Sequence, residues 1–255
     1  MIFETHAHYD DEQFDEDREK LLMSMKDRGV GTIVNVGSDV ASWEAVRGLT
    51  AKYPFVYGAA GVHPDAVGEL NEERFARLKE ILQEEKIVAV GEIGLDYYWD
   101  KESHDEQEEW FVRQLELAKE LKMPVIIHSR DAAADTLAIM KKYAGSLTGV
   151  IHCFSYSAEL AKEYVKMGFF IGIGGVVTFK NGKKLKEVVR EIPLEFLVLE
   201  TDSPYLAPMP NRGKRNSSLN LTYVAEQIAK LKGISYEEVV EQTEKNARRL
   251  YQMEG

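Results

Sequence analysis

The sequence predicts a single-domain (β/α)8 barrel over residues 1–255, and three observations predict it. Eight short, apolar, β-branched stretches recur along the chain, each followed by a stretch of helical periodicity. A length of 255 residues suits eight such units closed into one body. Five of the six histidines, His6, His8, His63, His128 and His152, fall where those strands end. A doubly wound open sheet is the architectural alternative, but no Gly-x-Gly-x-x-Gly follows the first strand and ligand-type residues recur around the whole set.

Each element has its own signals. Ile2 and Phe3 lead the first strand into Thr5, His6, Ala7 and His8, where residues i and i+2 share a face and set two imidazoles side by side. Leu21, Leu22 and Met25 mark a helix over 14–28, stopped by Gly29. Glycines bound a second strand at 31–37, Ser38 offers a cap for a helix over 40–53, and Pro54 halts it. The third strand, 55–61, leads to His63, and Asn71 opens a charged amphipathic helix to 85. Strand four, 86–91, ends on Glu92, and a long helix over 105–122 precedes strand five, 124–128, which ends on His128. A helix over 131–143 leads to strand six, 149–152, and Ser157 caps the next helix, to 167. Strand seven is 168–174, a short helix covers 182–191, and strand eight, 195–202, ends on Asp202. Two helices close the chain, the last opened by a capping box, Ser235 with Glu238.

Bulk properties narrow the function classes. A content of 44% hydrophobic and 10% aromatic residues excludes disordered, collagen-like and coiled-coil chains. A formal charge of −11 argues against a surface that coats nucleic acid, while leaving room for a local basic site. The single cysteine, Cys153, excludes an intrachain disulfide, and directly after His152 on a strand it should face away from the ligand side and serve packing. The apolar run 169–177 is too short for a membrane helix, and no cleaved signal is expected. The reading is a cytoplasmic protein.

In a barrel the carboxyl ends of all strands meet at one mouth, so His6, His8, His63, Glu92, His128, His152 and Asp202 become neighbours. Any one of them reads equally well as a hydrogen-bonded core residue; the full set reads as a metal or proton-transfer site. Imidazoles with carboxylates suit zinc, manganese, iron or nickel better than calcium, and the ligation exceeds what one ion needs. Two ions are expected, with Glu92 between them, a shared hydroxide as nucleophile, and Asp202 ligating one ion while taking the proton. Serine chemistry lacks a Gly-x-Ser-x-Gly.

The ordered set of motifs resembles the TatD family of metal-dependent deoxyribonucleases. It comprises residues 5–10 around His6 and His8, Gly61 to Pro64, Gly91 to Asp96, and Val125 to Arg130. It continues with Ile151 to Ser155, Leu199 to Tyr205 and Asn246 to Tyr251. The resemblance implies a barrel hydrolase that removes nucleotides from DNA 3′ ends with magnesium or another divalent ion. The expected cofactors are two ions of magnesium, manganese or zinc, and the expected partner is DNA, as single strands or 3′ ends. The resemblance also implies a first metal set of His6, His8, Glu92 and Asp202, a second of Glu92, His128 and His152, and phosphate contacts from His63 and Arg130. Two positions depart from the family pattern: Ser217 and Ser218 stand where Glu-Pro is usual, and Tyr156 where glycine is usual.

The loops speak to phosphate independently. Arg130 follows strand five, Lys180, Lys183 and Lys184 follow strand seven, and Arg212, Lys214 and Arg215 follow strand eight. Set at the mouth of an acidic protein, they favour a strand end over long duplex. Tyr97, Tyr98, Trp99 and Tyr205 offer stacking surfaces, or simply cover the mouth. A small-molecule amidohydrolase or esterase, or one acting on aminoacyl-RNA, is the competing enzyme reading. A fully ligated scaffold barrel is the non-enzymatic one.

Overall fold

The computed structural model describes residues 1–99 and 102–253. Eight strands form one parallel sheet in sequence order: β1 Ile2–Ala7, β2 Val30–Gly37, β3 Val56–Ala60, β4 Ile87–Asp96, β5 Val125–Arg130, β6 Gly149–Ile151, β7 Phe170–Ile173 and β8 Leu197–Leu199. The sheet closes on itself through a parallel bridge between Ala7 and Ser203, with His8 N–H donating to the Ser203 carbonyl at 2.9 Å. Around it lie α1 Arg18–Met23, α2 Ser42–Lys52, α3 Glu72–Ile81, α4 His104–Leu121, α5 Ala133–Lys142, α6 Ala158–Lys166, α7 Lys183–Glu191, α8 Leu221–Lys232 and α9 Tyr236–Leu250. This is the predicted (β/α)8 barrel.

Pleat alternation builds two apolar layers. One side of each strand packs against the helices: Ile33, Val90, Ile127, Ile151 and Leu199 meet residues such as Val46, Leu115, Ile139 and Val188. The other side fills the barrel with Phe3, Val34, Val36, Ala59, Ala89, Ile126, Val150, Phe170 and Val198. Ala247 and Leu250 of α9, with Tyr251 just past its end, close this interior from below, and Tyr251 stacks on Phe3 at 6.0 Å. Two residues up the same face from Ile126, Val150 and Val198 stand His128, His152 and Glu200. An apolar floor therefore passes directly into a polar mouth.

Several boundaries differ from expectation, each for a local reason. The helix expected over 14–28 is broken into 3-10 turns at Glu12–Phe14 and Lys26–Arg28 flanking α1. The Arg18 guanidinium holds the preceding loop by donating to the carbonyls of Tyr9, Asp10 and Asp11. The expected Ser38 cap does not form: α2 starts after Ala41 with no side-chain cap, and the Ser42 hydroxyl instead holds the preceding turn by accepting from the Ser38 and Asp39 N–H groups. Strand β4 runs past Glu92 to Asp96. Gly94 permits this: a Cβ there would stand 1.9 Å from the His128 carbonyl oxygen. Strand β8 is shorter than expected, leaving Asp202 in a left-handed turn at φ 56°. Asn71 and Ser157 cap their helices, and both halves of the Ser235–Glu238 capping box are formed.

Candidate metal centre

The barrel brings the predicted ligands together. His6 and His8 face each other through their Nε2 atoms at 3.1 Å, and the His6 ring stacks on His152 at 3.6 Å. Glu92 lies at the centre, almost fully buried, and its two oxygens face different partners. Oε2 is 3.4 Å from His6 Nε2 and 4.0 Å from His8 Nε2. Oε1 is 2.8 Å from His128 Nδ1, 3.5 Å from His152 Nε2 and 3.8 Å from His63 Nε2. Asp202 closes the first side, with Oδ1 3.4 Å from His8 Nε2, 3.9 Å from His6 and 4.0 Å from His152. The compact donor groups are His6–His8–Glu92, His6–His152–Asp202, His63–Glu92–His128 and His63–Asp65–Asp96.

The electrostatics of this cluster call for positive charge. Burial would depress all four inner histidines, and His6, with His152 beside it, does fall to about 4. His8 is nonetheless lifted to about 10 by Asp202 and Glu92. His128 rises to about 9 through Asp96 and Glu92, and His152 to about 9 through Glu200 and Glu92, both against the pull of burial. Burial pushes Glu92 and Asp202 upward, but the surrounding imidazoles hold both carboxyls below their usual range. The carboxylates thus favour positive charge beside them, whether protons on imidazole or a divalent ion in their place. Nitrogen and oxygen donors converging in this way fit transition-type divalent ions.

A second layer aims these ligands, and much of it escaped the sequence reading. His8 is oriented by the Val36 carbonyl, 2.8 Å from its Nδ1. His128 Nε2 meets Asp96 Oδ2 at 3.0 Å, and His152 Nδ1 meets Glu200 Oε2 at 3.2 Å. Glu200 fits only because residue 172 is glycine: a Cβ there would lie 2.3 Å from its Oε2. Glu4 is fully buried, with burial raising its carboxyl to about 8. It accepts from the His6 N–H (3.1 Å), the Thr201 N–H (2.9 Å) and the Thr201 hydroxyl (2.7 Å). It thereby ties the two chain segments that carry His6 and Asp202. Replacing Glu4 with alanine leaves those donors buried and unpaired. Urea unfolding should show a loss of about 3 kcal/mol, together with weaker divalent-metal binding.

Cys153 requires a correction. It does not face away on a strand, because β6 ends at Ile151 and Cys153 turns at φ 45°. Its N–H donates to Glu200 Oε1 at 2.5 Å, and it lines a small cavity with Phe154, Leu185, Asp202 and Leu206. Burial, then the charges of Asp202, Glu200 and Glu92, hold its thiol well above the usual range, so it packs without ionising.

The basic residues divide into groups. Arg130 ends β5 and lies over the Tyr98 ring at 3.9 Å. Arg212 rests on Phe179 at 4.5 Å, and among the described residues neither it nor Lys214 has a carboxylate partner. Arg215 is committed elsewhere: its fork meets both Asp17 oxygens at 2.7 and 2.8 Å, and it covers Phe14. A phosphate at Arg215 has to displace Asp17. Lys183 and Lys184 belong to the exposed start of α7. The residues that depart from the family pattern are built into the structure. Ser218 is buried against the Tyr9 hydroxyl at 2.8 Å, and the Tyr156 hydroxyl meets Ser129 at 3.0 Å.

A parallel barrel with nitrogen and carboxylate donors gathered at the carboxyl ends of its strands defines a metal-dependent hydrolase. Comparison with known proteins gives the family: the chain belongs to the TatD related DNases, whose pattern matches residues 3–252. It is 47% identical to a Bacillus subtilis protein named uncharacterized metal-dependent hydrolase YabD, over 99% of this chain and all of that one. It is 34% identical to the 3′-5′ ssDNA/RNA exonuclease TatD of Pantoea vagans, over 99% of this chain and all of that one. The crystal structure of YjjV, a TatD homolog from Escherichia coli, superposes with a TM-score of 0.93 at 30% identity, covering 98% of both chains. No described helix is long and apolar enough to cross a membrane.

Proposed function

We propose that this hydrolase removes nucleotides from the 3′ end of single-stranded DNA, using two divalent ions held by His6, His8, Glu92, His128, His152 and Asp202. The observation that carries the two-ion reading is Glu92, whose Oε2 faces His6 and His8 while Oε1 faces His63, His128 and His152. Two divalent ions supply polarisation of the phosphodiester and a water acidic enough to lose its proton near neutral pH.

The chain's own groups do the rest. Asp202 is the ligand carboxylate that solvent reaches most readily, 22% exposed against 5% for Glu92, so it accepts the proton of the attacking water. His63, on the rim beside Glu92 Oε1, and Arg130 bind the phosphate, with Arg212 and Lys214 adding positive charge farther out on the mouth. Arg215 joins them only after releasing Asp17. The remaining surface of a chain with net charge −11 repels long duplex, which favours a free end.

The test is digestion of 3′- and 5′-labelled single strands by chelator-stripped protein, with magnesium, manganese or zinc restored in turn. Stepwise shortening from the 3′ end should require metal, and His128→Ala should slow it by about a hundredfold or more. DNA left intact under every metal would reject the nuclease reading in favour of a small ester, amide or aminoacyl substrate.

A further inference from the structure

We propose that Tyr98, Trp99 and Arg130 form a stacking platform for the nucleobase next to the 3′-terminal nucleotide; this rests on the nuclease reading above. Of the eight large apolar side chains exposed among the described residues, five belong to the two mouth loops: Tyr98 and Trp99 after β4, and Tyr205, Leu206 and Met209 after β8. Trp99 is 67% exposed and Tyr98 48%, while the backbone N–H of each is hydrogen-bonded. Both N–H groups donate to Asp96 Oδ1, at 3.2 and 2.9 Å. The Tyr97 N–H donates to the Arg130 carbonyl at 2.9 Å.

The same Asp96 joins the platform to the metal centre. Its Oδ2 is 3.0 Å from His128 Nε2, so one buried carboxylate contacts a metal-centre histidine with one oxygen and the aromatic loop with the other. The Arg130 guanidinium lies 3.9 Å over Tyr98 and 5.4 Å over Trp99, while the two rings meet edge to face at 4.8 Å. Indole, phenol and guanidinium planes are the surfaces on which unpaired bases stack.

The chemistry of the remaining surface selects this occupant. With a net charge of −11 the protein gains little from backbone phosphates beyond the few cations at its mouth. A strand whose terminal phosphodiester lies at the ligand cluster has to leave across the rim. A base resting on the platform supplies grip that salt does not screen. Stacking is also tolerant of base identity, which suits an enzyme that steps along a strand.

The experiment uses metal-loaded full-length protein and two labelled single strands. One is ordinary; the other carries an abasic spacer in place of the nucleotide before the 3′ terminus. The wild type should show a KM about tenfold higher on the spacer strand, the scale of one lost base stack. In Trp99→Ala the KM on the ordinary strand should rise until the two strands differ little, and Trp99→Phe should restore most of the difference. Trp99 is largely exposed, so these variants fold. Equal wild-type KM values on the two strands, or discrimination that survives Trp99→Ala, would overturn the platform while leaving the nuclease reading intact. Failure of the wild type to shorten either strand would overturn the nuclease reading itself.

Discussion

Glu92→Gln is expected to reduce hydrolysis by far more than a hundredfold and to lower the divalent metal bound per chain, with the fold retained. Loss of an outer ligand-orienting group alone costs about tenfold to a hundredfold in such centres, and Glu92 stands inside that layer. Each of its oxygens serves a different set of imidazoles. Glutamine keeps the volume but turns one acceptor into an NH2 group, and whichever way the amide lies, one set of histidines loses its carboxylate oxygen. The charge also matters. Glu92 helps to lift His8, His128 and His152, so removing it weakens the whole cluster's hold on cations. Elemental analysis of the reloaded protein, alongside a phosphodiester assay, checks both halves. A full metal complement with a near wild-type rate would show that Glu92 is not needed to hold metal.

The fold and most of the histidines and carboxylates that cluster at the mouth were legible because both depend on local regularities. A parallel barrel needs short apolar strands at regular spacing, and on β5 and β6 parity fixes the face of the polar end residue. On β1 and β4, by contrast, register shifts between Glu4 and Ala7 and between Val90 and Ile93 carry His6 and Glu92 to the mouth against the parity of Phe3 and Ala89. His128 and His152 were legible as strand ends, and in the folded chain they stand above the inward Ile126 and Val150. Parity misled where the strand stopped early: Cys153 lies beyond β6 in a positive-φ turn, where alternation no longer applies. Asp96 lies four residues beyond the end that the sequence predicts for strand four at Glu92. In the folded chain Gly94 instead allows β4 and β5 to approach closely, so that the strand continues to Asp96. Glu200 had a usable signal, two residues before Asp202 on the same face. The pairing of Arg215 with Asp17 had none, because the two are 198 residues apart and meet only through closure of the barrel.

Asp202→Asn should separate proton transfer from metal holding. The position is favourable for the test: Asp202 has φ 56°, in the left-handed region that asparagine tolerates better than most residues. Its N–H donates to the His6 carbonyl at 3.0 Å, and its own carbonyl accepts from Tyr205 N–H at 2.9 Å, so the side-chain change leaves this backbone framework in place. The amide oxygen can still face His8 as a weaker ligand, while His6, His8 and Glu92 remain. What disappears is the ability to take a proton at the solvent-accessible edge of the centre. Removing a general base costs about a hundredfold to ten-thousandfold in turnover, so kcat should fall on that scale while most of the metal stays bound. Glu92→Gln is expected to lose metal and rate together, and Asp202→Asn mainly rate. Metal content and kcat measured side by side on the two variants therefore distinguish the roles. A kcat for Asp202→Asn within a few-fold of wild type would move the base elsewhere in the cluster.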